Sequence, residues 1–130
     1  MANKVQLKRV FNRADEQDGS RFFVERQWPR GVDKSALAGA AWLGEVAPSP
    51  ELSEWFHHDP KYWDEFRRRY FAELKYHTDA LSPILEAARK GTVTLLYTCR
   101  DKKHNNAVAL REFLMHSLNP KEPASCLCLQ

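Results

Sequence analysis

Apolar and polar residues alternate through residues 4–11, where Val5, Leu7 and Val10 are separated by Gln6, Lys8 and Arg9. That period predicts a strand with one wet face or an edge position. Residues 21–28 follow a turn-like Asp18-Gly19-Ser20 and run into Pro29-Arg30-Gly31, predicting a second strand. Residues 92–98 (Thr92-Val93-Thr94-Leu95-Leu96-Tyr97-Thr98) are β-branched and nearly all apolar. A strand covered on both faces, as in a parallel sheet, has that pattern.

The other periodic segments are helical. Ser49-Pro50-Glu51 combines a capping hydroxyl, a first-turn proline and an early carboxylate, with Leu52, Trp55 and Phe56 then sharing a face. Asp59-Pro60 repeats the start signal, and Trp63, Phe66, Tyr70 and Leu74 form a stripe. A third helix is predicted over residues 81–90, started or kinked by Pro83 and stopped by Gly91. The last begins at Asn105 or Asn106 and aligns Ala107, Leu110, Leu114 and Leu118. Residues 33–44 also read as helix, with Gly39 and Gly44 weakening the pattern. Residues 1–118 therefore form one expected domain, and Pro120 and Pro123 mark 119–130 as a flexible tail. The order of elements predicts an α/β fold, a single-domain three-layer sandwich with a mainly parallel sheet flanked by helices.

Composition narrows the function without naming it. The chain has 130 residues, 43% hydrophobic and 12% aromatic, enough for one real core and inconsistent with a disordered chain. The net charge is only +3, which demands no polyanionic partner. It is unevenly placed: residues 1–30 hold seven basic and four acidic side chains, 31–65 two and seven, and 66–130 eleven and six. Charge interrupts the first ten residues and no apolar run has membrane-spanning length, so neither a signal peptide nor a membrane partner is expected. Three cysteines, Cys99, Cys126 and Cys128, without a spaced framework fit a reducing cytoplasm. The terminal CLCLQ has neither zinc-ligand spacing nor a prenylation box.

Ligands of open α/β sheets sit beyond the carboxyl ends of the strands. That rule selects two loops, residues 25–31 and 99–105. If their strands are neighbours, Arg26, Arg30 and Arg100 converge, and the last helix adds exposed amide donors, together forming a small-anion site. Against this, each arginine could simply pair with Glu25 or Asp101. Trp28 supplies a wall. His104 is a candidate general acid–base residue, and Asn105 either orients a substrate or caps the helix. Cys99 is a candidate nucleophile, though a buried, inert thiol is the commoner case.

His57-His58-Asp59 resembles a ligand set, but Asp59 is already a cap and no second ligand pair accompanies it, so no metal site is expected. His58, in a turn between helices, is better placed to face the anion site. The Arg67-Arg68-Arg69 run spans a wide arc of one helix, with Asp64, Glu65 and Glu73 in reach. It reads as a solvated face rather than a nucleic-acid surface, and the aromatic stripe beside it as core.

The stretches DGSRFFVERQWPRGV, EVAPSPELSEWFHHDPKYWDEFRRRYFAEL and GTVTLLYTCRDKKHNNAVALREFL resemble the YeaO-like branch of the bacterial domain of unknown function 488 group. The likeness runs from Val5 to Leu118, with the three blocks in the expected order. It implies a compact α/β domain of cytoplasmic bacterial proteins, with no established activity and the cofactor, if any, unknown. Matching positions include Arg26, Trp28, Pro29, Arg30 and Gly31, then Trp55, Phe56, His58 and Asp59, then Asp101, His104 and Asn105. Four positions depart from it: Glu25 where aspartate is usual, Gln27 for leucine, Ser53 for arginine and Cys99 for a small residue. If the arginine missing at 53 binds an anion, affinity is weakened here or Arg100 substitutes for it.

These readings converge on a cytoplasmic small-anion pocket for phosphate, nucleotide or carboxylate. Its expected ligand-binding residues are Arg26, Trp28, Arg30, Arg100 and Asn105, with His58 or His104 for proton transfer. The rival is a non-catalytic interaction module or homodimer-forming domain.

Overall fold

A computed structural model describes residues 5–57 and 59–118, and His58 and the expected tail at 119–130 lie outside these described residues. Four strands, β1 (Val5–Arg9), β2 (Ser20–Phe23), β3 (Ala40–Trp42) and β4 (Val93–Tyr97), form one sheet in the order β1-β4-β2-β3. All three pairings are parallel, with Val5 opposite Val93, Ser20 opposite Val93 and Arg21 opposite Ala40. Four helices accompany them: α1 (Pro50–Phe56), α2 (Trp63–Lys75), α3 (Thr78–Lys90) and α4 (Asn106–Leu118). The expected single-domain α/β architecture is present.

Every residue of β4 is buried, as its nearly continuous apolar run implies for a central strand. Its alternate side chains serve two cores. Val93, Leu95 and Tyr97, with Val5, Phe22 and Val24, pack against apolar residues from all four helices. Leu96, with Phe23, packs on the other face against Val10 and Leu37. The sandwich is thus asymmetric: its second face is covered by short 3-10 turns at Glu16–Asp18 and Lys34–Leu37 instead of α-helix. On that face Lys8 donates to the buried Asp18 carboxylate at 2.8 and 3.0 Å, and Thr94 donates to the Asp18 carbonyl.

The helical reading of residues 33–44 is overturned. Lys34–Leu37 makes a 3-10 turn, Gly39 with φ 82° leads into β3, and Gly44 begins a second 3-10 turn (Gly44–Val46). Glycine enters that left-handed region without a Cβ penalty. The second strand is shorter than its pattern, because at Glu25 the chain turns out of the sheet. The third helix starts at Thr78, ahead of the expected 81, with Pro83 inside it. The predicted start before α1 is present, with Ser49 Oγ accepting from Leu52 N–H, whereas Asp59, accepting from Lys61 N–H, caps a 3-10 turn (Pro60–Tyr62) that leads into α2. Phe66, Tyr70 and Leu74 are core, as the stripe on α2 implied. Among the described residues no helix is long and apolar enough to cross a membrane.

Candidate functional site

The connection leaving β2 passes over the second face, where Leu37 packs on Phe23 and Leu96. The connection leaving β4 enters α4, whose Leu110 and Leu114 pack on the first face. Neighbouring parallel strands whose connections depart to opposite faces leave a crevice outside their carboxyl ends, the usual ligand position of such sheets. The two loops selected by sequence flank this crevice.

Glu25 bridges it. Its carboxylate accepts from the Thr98 amide at 2.7 Å and the Thr98 hydroxyl at 2.8 Å, while Arg9 donates to the Thr98 carbonyl at 3.0 Å. A depression lies to either side of this bridge. The inner one, of about 440 Å³, has Arg26, Ser53, Cys99 and Asn106 in its walls and the apolar Phe56 and Phe66 among its lining. The outer one, of about 830 Å³, is more open and is lined by Trp28, Pro29, Arg30 and Asp33. Glu25, Gln27 and Thr98 line both.

Arg26 Nε and Nη2 donate to the Pro48 and Ala47 carbonyls at 3.4 and 3.2 Å, tying the β2 loop to the start of α1. A guanidinium has five N–H groups, so donors remain for a ligand, and Arg26 makes no ion pair among the described residues. Arg30 is exposed in the outer depression, and Arg100 is exposed and lines neither one. The three arginines therefore share one end of the sheet but not one cavity. Among the described residues none of the three pairs with Glu25 or Asp101, whose carboxylates are engaged elsewhere.

Trp28 is held rigidly. Its indole N–H donates to the Val32 carbonyl at 2.8 Å, and its ring lies edge-on to Trp42 (5.5 Å between centroids) and Phe23 (6.2 Å). Trp42 in turn donates to the Glu25 carbonyl at 2.7 Å. Trp28 nonetheless remains 37% exposed.

The α4 end of the crevice differs from expectation. Asp101 accepts from the Lys103 and His104 amides and from His104 Nδ1 at 2.9 Å. Those hydrogen bonds, the Lys103 amide first, hold its carboxyl below the usual range. Asn105 is fully buried; its side-chain oxygen accepts from Val108 N–H and its amide donates to the Asp101 carbonyl, both within 2.9 Å. Of the amides at this helix start, that of Val108 is thus taken by Asn105, the helix cap, and those of Lys103 and His104 in the preceding loop by Asp101. His104 stacks edge-on to Trp63 at 5.3 Å, oriented by Asp101, outside the lining of either depression.

Burial pushes the Cys99 thiol up; the Asp101 amide opposes this, and the Asp101 and Glu25 carboxylates reinforce it. A protonated thiol is a poor nucleophile, which disfavours that role. His58 lies outside the described residues. Asn106 was missed by sequence reasoning. It donates to the Val24 carbonyl at 2.8 Å and lines the inner pocket. Two adjacent asparagines carry no signal of which caps and which spans to the next strand.

The Arg67–Arg69 run is a paired face. Arg67 clamps Glu112 of α4 and also meets Asp64, while Arg68 and Arg69 share Glu65. The Arg68 hydrogen bond, then that of Arg69, draws the Glu65 carboxyl down to about 2. Glu73, a third expected partner, instead accepts from Ser49 N–H and Oγ.

Glu25, Gln27, Ser53 and Cys99, the four departures from the resembled pattern, all line the inner pocket. Comparison with known proteins places the chain more finely. The model of the inactive DUF488-N3 subclade matches residues 4–130. Uncharacterized protein YeaO of Escherichia coli strain K12 is 38% identical over 110 residues, covering 85% of this chain and 96% of its own. Uncharacterized protein Rv3073c of Mycobacterium tuberculosis strain H37Rv is 36% identical over 111 residues, covering 85% and 93%. No solved structure matches significantly. With nearly the whole sequence matched and these relatives aligned along almost their full lengths, the chain belongs to the inactive DUF488-N3 subclade, among YeaO-like proteins.

Proposed function

We propose that this chain is a cytoplasmic binding protein for a small anion, held in the inner pocket between the β2 and β4 loops. The supporting observation is Arg26: a guanidinium fixed by two backbone carbonyls, with donors to spare, in a pocket at the crevice of a parallel sheet. Ser53 and Asn106 add polar groups, and Phe56 and Phe66 exclude water from beneath. Arg30 and Trp28 form the adjoining wall, and Arg100 contributes charge at the rim. A binding role also suits the description of the subclade as inactive and a Cys99 thiol kept protonated. His104, aligned by Asp101, is the group available for proton transfer should the ligand react.

The test is thermal unfolding of wild type and Arg26→Ala with inorganic phosphate, sugar phosphates, nucleotides and organic acids. A ligand at a hundred times its Kd stabilises by about 2.7 kcal/mol. Arg26→Ala lowers the baseline by losing its bonds to Ala47 and Pro48, so the increment on adding ligand is the readout. The increment should vanish in the variant. An increment retained there, or no ligand that shifts wild type, overturns the proposal.

A second reading, a protein-interaction or homodimer-forming surface, is favoured by one feature. Trp28 and Trp42, 37% and 48% exposed, lie side by side at the β3 edge of the sheet. Exposed aromatic clusters commonly mark contact sites. Sedimentation of the wild type against Trp42→Ala separates this reading from the first.

A further inference from the structure

The anion reading assigns a use to the inner pocket and none to the outer one. The outer depression has the Trp28 indole in its lining, anchored by one hydrogen bond and two ring contacts. The Trp28 ring is pinned through its N–H to Val32 and braced by Trp42 and Phe23, yet more than a third of the residue is open to solvent. A rigid, exposed indole is a stacking surface whose ordering cost is met in folding. Gln27 lies where the two depressions meet and lines both. It is exposed and makes no hydrogen bond among the described residues, so its amide offers a donor and an acceptor in one plane. The partition between the depressions is the Glu25 carboxylate, both of whose oxygens are engaged by Thr98. Along this end of the sheet the order is therefore aromatic face, amide, fixed guanidinium.

We propose that the two depressions form one site for a nucleoside phosphate. The base stacks on Trp28, its edge bonds to the Gln27 amide, and the phosphate meets Arg26 in the inner pocket. This assignment rests on the anion reading of Arg26 and names the ligand class. Stacking tolerates any base, because each has a π-face; selection among bases falls to Gln27.

Calorimetric titration of the full chain with the four common nucleoside monophosphates, ribose 5-phosphate and inorganic phosphate tests it. The best nucleotide should bind on the order of tenfold more tightly than ribose 5-phosphate, in the range of one base–aromatic stack, and should quench tryptophan fluorescence. Trp28→Leu should bring nucleotide affinity down to that of ribose 5-phosphate measured in the same variant. Gln27→Ala, at an exposed position without partners, should fold as wild type and flatten the differences among bases. The assignment is overturned if nucleotide and ribose 5-phosphate bind alike, or if both variants keep the preference. If phosphate and ribose 5-phosphate bind through Arg26 with no gain from a base, only the nucleotide assignment falls. If no phosphate compound binds, this assignment falls, and the anion reading stands or falls on the organic acids.

Discussion

The Glu25 carboxylate grips Thr98 twice, at the amide and at the hydroxyl, and so closes the end of the gap between β2 and β4. One side chain thereby sets the spacing of both loops that line the candidate site. Glu25→Gln keeps the shape but loses an ionised acceptor, and hydrogen bonds to charged groups contribute about 1.5–3 kcal/mol. A loss in this range is expected by urea denaturation. Thr98→Val, which keeps the amide bond, should lose about 1 kcal/mol. Equal losses in the two variants would mean that the charge on Glu25 adds nothing beyond the hydroxyl bond.

Asn105 is expected to act on stability alone. Its side chain caps α4 and reaches back to the Asp101 carbonyl from a fully buried position. Asn105→Ala should cost about 1–2 kcal/mol and leave the affinity of the folded protein for any ligand unchanged. A variant with wild-type stability and lost binding would restore the substrate-orienting role.

The Lys8–Asp18 pair should make stability fall in acid. Burial raises the Asp18 carboxyl, but the Lys8 hydrogen bond, the Asp15 amide and the Lys8 charge outweigh it, so the net shift is downward. A carboxyl depressed in the folded state contributes fully above its unfolded value, about 4, and loses that contribution as pH falls through the folded value. Asp18→Asn should therefore destabilise most at neutral pH, by about 2 kcal/mol for one part-buried, charge-assisted hydrogen-bonded pair. Denaturation curves from pH 7 to pH 2.5 should show the gap to wild type shrinking. A gap that does not depend on pH would refute this account.

Cys99 should be sluggish. With its thiol pushed up by burial, alkylation near neutral pH should run slower than for an unstructured cysteine peptide, because only the thiolate attacks. A Cys126→Ser, Cys128→Ser background isolates the signal. Faster modification than the peptide would revive a nucleophilic role.

Much of this architecture is readable from residue order. β1 and β4 announce themselves through alternation and a nearly continuous apolar run, and the helical segments through capping chemistry at Ser49, Asp59 and Asn105. β3 does not. Ala40-Ala41-Trp42 is three residues long, has no β-branched member, and owes its pairing to β2 and to the turn at Gly39. The site divides the same way. Its two loops follow from the crevice rule, but its third wall, with Ser53 and Phe56, is supplied by α1 across the tertiary fold. Local pattern likewise could not show that Asp101 would occupy the amides of Lys103 and His104, since a loop carboxylate binds whichever donor the turn presents.

The position of β4 has a consequence for biogenesis. The strand made last lies between the first two, so β1 has no neighbour in the sheet until residues 93–97 exist. A nascent chain can assemble its helical hairpins early, but the sheet must wait for a contact across nearly ninety residues, a closure that slows folding. On a ribosome, β1 would therefore stay exposed and open to chaperones for most of translation. Pulse proteolysis of stalled chains should find protection of Val5–Arg9 arising only after Tyr97 has cleared the exit tunnel; earlier protection would argue for a transient β1–β2 pairing.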